Sequence, residues 1–185
     1  MLTDVTVTDI QAGAPITAQN AIIEGGAFQK AVHADENSSI TGGTFQESVE
    51  ANGTIAKGIF KKSVQAYGKI TDGQFDADVT LGYSGTITGG TFQKNVKASG
   101  TINGGQFDAT VQLDSSNAQI LGGVFNNIKL PDYYTLEGTV IRNAVITGSL
   151  MADTSSKAAV SNTVSFSPIE SRHRANCLLY TSDAA

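Results

Sequence analysis

Several groups of residues in this sequence have the types and spacing to do chemistry. Asp76 and Asp108 each stand one residue after a phenylalanine, so they occupy one repeating position. Two carboxyl groups astride a sugar linkage can hydrolyse it, with inversion at separations of roughly 6.5–9.5 Å and retention at ~5 Å. Asp76 and Asp78 are closer in sequence, but beside a sharp bend they read as solvated. His33 could act as a base or a ligand, yet the other histidine, His173, and the single cysteine, Cys177, lie in the last fifteen residues. The run DGQFDAD (residues 72–78) lacks the carboxylate spacing of an EF-hand loop, and the repeat puts Phe where a calcium-binding Gly-Gly-x-Gly-x-Asp array needs small or acidic residues. Tyr67 and Tyr83, with Tyr133 and Tyr134 further on, could stack on sugar rings. No catalytic, cofactor-binding or metal-binding residue is assigned; Tyr67 and Tyr83 are the candidate binding face.

Composition limits what can position these groups. The 185 residues include twenty glycines, three prolines and no tryptophan, and 16% are charged, which suits short strands and many turns rather than amphipathic helices. A net charge of -5 and a pI near 4.9, without a Lys/Arg run, argue against a nucleic-acid partner. No apolar stretch reaches the roughly 18 residues of a spanning helix, so no membrane insertion is expected. The first residues, MLTD, lack the basic start and apolar core of a secretory signal.

Internal repetition is the dominant signal. Phenylalanine recurs at 28, 45, 60, 75, 92, 107 and 125. Isoleucine stands five residues before each, and valine four residues after each of the first six. Val is followed two residues on by Ala34, Ala51, Ala66, Leu81, Ala98 or Leu113. The Val-to-Ile interval alone varies, from six to nine residues, so length variation sits at one corner. Three residues after each ladder isoleucine comes glycine (Gly26, Gly43, Gly58, Gly73, Gly90, Gly105, Gly123), free to take positive φ. Between Phe and Val, the position an unbroken strand would bury holds Lys30, Glu47, Lys62 and Lys94, so the chain must bend there.

These spacings predict an all-β, single-chain parallel β-solenoid. Residues 23–127 make about seven triangular coils of 15–18 residues with Ile, Phe and Val/Ala pointing inward, a right-handed winding being favoured. Coils about 4.8 Å apart give a rod of roughly 30 Å. Asp76 and Asp108, two coils apart, would then be about 9.6 Å from each other, just outside the inverting range. Lys61 and Asp76 become neighbours of opposite sign. Residues 1–22 read as a leading coil or cap and 128–168 as a further irregular β coil or cap; open ends leave room for end-to-end stacking. Thr and Ser flank the isoleucines, as in Thr86-x-Thr88, and flat Thr-x-Thr ranks occur in ice-binding solenoids, but Lys69 and Ala56 interrupt the array.

Repeats such as ITGGTFQKNVKASGTINGGQF resemble the Gly-Gly-Thr-Phe solenoid arrays of large surface proteins of gut-dwelling bacteria, over about residues 22–127. The resemblance implies an extracellular stalk or adhesin, from which this chain departs by showing neither export signal nor anchor; repetition without chemistry makes it a non-catalytic spacer or a segment that holds a glycan or protein partner. Similar coils occur in phage tails, so a trimeric receptor-binding component of a virion is the alternative. A polysaccharide-cleaving β-helix enzyme comes next, though such enzymes generally use coils longer than 20 residues. The run SRHRANCLLYTSDAA (171–185) resembles the translated sequencing adapter found at the ends of metagenomic reading frames, which makes the chain a fragment with a disordered, artefactual tail over 169–185. Without that tail the chain has no thiol, hence no disulfide and no Cys-based metal or redox site.

Overall fold

The computed structural model describes residues 1–130, 139–152, 159–161, 163–165 and 179–180. Every paired strand is parallel, no helix occurs among the described residues, and the chain winds as a β-solenoid. The three ladders stack in register. Ile40, Ile55, Ile70, Ile87 and Ile102 pair in sequence, as do Phe45, Phe60, Phe75, Phe92 and Phe107, and Val49, Val64, Val79, Val96 and Val111. All are at most 2% exposed, so like residues meet like in a narrow core sealed from water.

The solenoid has about nine turns rather than seven, because the spacing continues where phenylalanine stops. At the start, Val7 pairs with Ile23, Ala12 with Phe28, Ile16 with Val32 and Ala18 with Ala34. Beyond Phe125, Ile141 takes the isoleucine rank, Ile146 pairs with Phe125 and Leu150 with Ile128. Val160 extends the isoleucine rank, and a last strand, Leu179–Tyr180, pairs with Val160 and Ser161. That strand falls in the segment 169–185; the rest of the segment lies outside the described residues.

Strands on the isoleucine face form one 11-stranded sheet. The phenylalanine and valine faces are connected into a single 18-stranded sheet. The connection is made late in the rod, where Gln106–Leu113 and Gly123–Lys129 run through the second bend as unbroken strands. Between residues 44 and 98 that bend separates two-residue Phe strands from three-residue Val strands, as at Thr44–Phe45 and Val49–Ala51. A register shift between Phe107 and Thr110 lets Ile128, three residues after Phe125, take the valine rank.

The phenylalanine ladder is a continuous stack. Successive ring centroids are 4.6–4.8 Å apart and ring planes lie within 8° of parallel. Each ring gains about 1.5–3 kcal/mol from burial, and each ring pair about 0.5–1.5 kcal/mol more. The first corner is shaped by the same rings. Gly73 sits at φ 137, and a Cβ there would lie 3.1 Å from Cε2 of Phe75, so conformation and ring packing both demand a bare Cα. All seven glycines of this column have positive φ.

The third corner takes two forms. Short corners such as Asn52-Gly53 and Tyr67-Gly68 lie so close to the coil before that a Cβ on Gly68 would be 2.0 Å from the Gly53 carbonyl oxygen. Long corners at 35–38, 82–85 and 114–118 each close a turn, with Ser38, Gly85 and Ala118 donating to the carbonyls of Asp35, Gly82 and Ser115. Behind the second and third of these the valine strand ends in Leu81 and Leu113, both fully buried, where the short corners have Ala. At those two corners leucine fills the interior; the first long corner keeps Ala34, and its buried Ser38 donates its hydroxyl to Asp35 Oδ1 and accepts the Ala21 N–H.

Candidate functional site

Asp76 and Asp108 point outward from the phenylalanine face, two coils apart, with Gln93 in the intervening coil. Each is occupied. The Asp76 carboxylate accepts from Lys61 Nζ across the coils and from Gln74 Nε2 at 2.7 Å. Asp108 accepts from Gln106 Nε2 at 2.9 Å. The expected Lys61–Asp76 neighbour pair is therefore formed, and the Lys61 hydrogen bond, followed by that of Gln74, holds the Asp76 carboxyl below its ordinary value. A proton donor at neutral pH needs the opposite shift. Asp78 caps the second bend by accepting the Asn95 backbone N–H at 3.1 Å, and Asn95 Oδ1 accepts the N–H of Thr110 in turn.

His33 lies on the valine face with its Nδ1 3.4 Å from Glu50 Oε2 in the next coil, both side chains about half exposed. It borders a cleft of about 230 Å³ that also touches Pro15, Ser48, Ser63 and Gln65. A wider trough of about 690 Å³ follows the glycine corner past Asp9, Glu24, Lys57 and Asp72. Among the described residues no three His, Cys, Asp or Glu side chains gather closely enough to hold a metal ion. On the isoleucine face, the hydroxyls of Thr41, Thr71 and Thr88 donate to the carbonyls of Ile23, Ala56 and Ile70, which turns part of the threonine rank toward the backbone of the coil before.

Tyr67 and Tyr83 occupy the third corner of adjacent coils in different ways. Tyr67 lies over Gly82, where a Cβ would come within 2.6 Å of its ring, and its hydroxyl donates to Gln65 Oε1 at 3.3 Å. Tyr83 rides on the long corner with 78% of its surface exposed, against 44% for Tyr67. The two do not stack; the ring pairs among the described residues are those of the phenylalanine ladder. Ser84 Oγ donates to the Tyr67 carbonyl at 3.2 Å and fixes the loop to the coil beneath. Nothing in the sequence marks Gln65 and Ser84 themselves, although the rise in corner length between Tyr67 and Tyr83 marks the place. Tyr133 and Tyr134 lie outside the described residues.

No helix among the described residues is long and apolar enough to cross a membrane. No family model, no curated protein and no solved structure matches this chain.

Proposed function

We propose that this chain is a non-catalytic solenoid segment of an extracellular bacterial surface protein, a stiff spacer that offers its third corner to a glycan or protein partner. The observation that carries this reading is the unbroken stack. Six successive ring pairs at 4.6–4.8 Å run the length of the central coils, each coil bonded to its neighbours by parallel ladders, so the core is one continuous column. Such a column resists bending and extension because each coil can leave only by breaking its own ladder. The corner that changes length from coil to coil is the part free to vary, which suits recognition.

The test is incubation of the intact protein with mixed polysaccharides and an assay for new reducing ends, together with light scattering. A monomeric, elongated particle that yields no cleavage agrees with the spacer. Cleavage that disappears in Asp76→Asn or Asp108→Asn would replace this reading with an enzyme, and an elongated trimer would move it to a phage fibre.

A further inference from the structure

We infer that the third corner carries a small glycan site, a saddle between the long corners 35–38 and 82–85 that takes one neutral hexopyranose unit on Tyr67 and Tyr83. This rests on the reading of the chain as a surface-exposed binding solenoid and names the ligand class of its variable corner.

The saddle follows from the corner lengths. Two short corners, Asn52-Gly53 and Tyr67-Gly68, lie between the two long ones. The Gly82 N–H donates to the Ala66 carbonyl and the Thr86 N–H to the Gly68 carbonyl, anchors that in the Tyr67 coil have only Tyr67 between them. The extra residues of the upper coil must therefore bulge outward, and Tyr83 and Ser84 are exposed at the crest. At the other end Glu36 and Asn37 are exposed in the same way. Three coil steps separate the crests, about 14 Å, enough for a sugar ring with its substituents.

The lining matches a pyranose. A sugar ring presents a face of C–H groups to an aromatic ring and equatorial hydroxyls to amides and carboxylates. Tyr67 is pinned by Gln65 and Gly82, and the Tyr83 turn is closed by the Gly85-to-Gly82 hydrogen bond and tethered through Ser84, so little freedom is lost on binding. Asn52, in the corner of the coil before Tyr67, and Glu36 and Asn37, on the opposite crest, have side chains with no hydrogen bond among the described residues. A peptide strand fits less well. The N–H groups of Asn52, Tyr67 and Gly82 already donate to the coil before, so the corner offers no row of free amides for strand addition. Asp35 and Glu36 on one wall disfavour uronates and other acidic sugars.

Saturation-transfer NMR on the full chain, with a panel of methyl hexopyranosides, N-acetylglucosamine and methyl glucuronide, tests the site. At least one neutral sugar should receive saturation from tyrosine ring protons, and glucuronide should not. Tyr83→Ala and Tyr67→Ala should each weaken binding by about tenfold or more, with Tyr83→Trp retaining it. Because Tyr83 is 78% exposed, its variant should keep the parent circular dichroism and melting temperature. Absence of any bound neutral sugar, preference for glucuronide, or binding that survives both substitutions would overturn the site. Survival with contacts on another face would leave the adhesive reading intact, whereas polysaccharide cleavage would sink that reading itself.

Discussion

The central coils and the coils at either end obey one spacing with different parts. In the centre the second inward position is Phe and the first corner turns on a glycine at φ 105–143. In the terminal coils that inward position is Ala12 or Ile146, and the positive φ moves one residue earlier, to Asp9 at 48° and Asn143 at 54°. Ile10 and Ala144 then stand in the glycine column. The two changes go together because the phenylalanine ring edge occupies the space over the glycine. Without the ring, a left-handed Asx residue, among the few non-glycine types at home there, makes the corner. What defines a coil is the spacing of its inward residues; the Phe–Gly pair is a coupled refinement of the centre.

Removing a ring from the centre should have the largest effect. Phe75→Ala leaves a cavity and breaks two stacks, for about 3–5 kcal/mol from the cavity and up to about 1.5 kcal/mol per stack, read by urea unfolding. Ile146→Ala, at the edge of the ladder, should fall near the lower end of the ~2–5 kcal/mol range. Equal losses at the two sites would erase the distinction drawn between centre and end.

A smaller effect tests the corner. Gly73→Ala should cost about 1–3 kcal/mol, since it strains both φ and the contact with Phe75. Asp9→Gly in the terminal coil should change stability by less than about 0.5 kcal/mol. If ring and glycine are coupled, Gly73→Ala in a Phe75→Ala background should cost less than alone, with an interaction of at least about 0.5 kcal/mol. Strict additivity would show that φ alone dictates the glycine.

The smallest effect is electrostatic and belongs to the central coils. Asp76, lowered from 3.8 by Lys61 and Gln74, binds its proton less readily folded than unfolded. Its contribution is present above pH about 3.8 and is lost as pH falls through the lower folded value. Acid titration of the midpoint should therefore be shallower for Asp76→Asn than for the parent below that pH, and identical slopes would leave the pair without influence on stability. The pair is partly exposed, so the difference should be small and shrink with added salt.

Much of the fold was legible because the inward positions recur at fixed intervals. The five-four-two spacing through Ile70, Phe75, Val79 and Leu81 is read directly, and it led to the Lys61–Asp76 pair as well. The same spacing runs through Val7, Ala12, Ile16 and Ala18, and through Ile141, Ile146, Leu150 and Ala152. It is hidden there because alanine and isoleucine are too common to mark a column that phenylalanine marks unmistakably. Of the candidate site, the two tyrosines were visible; the different exposure of their rings was not, because Tyr67 is held by Gln65 and by a glycine fifteen residues later in the next coil.

Within the coils marked by phenylalanine, the sequence by itself determined which side chains face the core and where the first and third corners turn, since each depends on spacing within one coil. Only the stacked structure decided how the third corner is shaped. Whether a corner hugs the coil before it, as Gly68 does against Gly53, or arches away, as 82–85 does above Tyr67, depends on backbone contacts between coils. Those contacts join residues a full turn apart, so their geometry exists only once the neighbouring coil is in place.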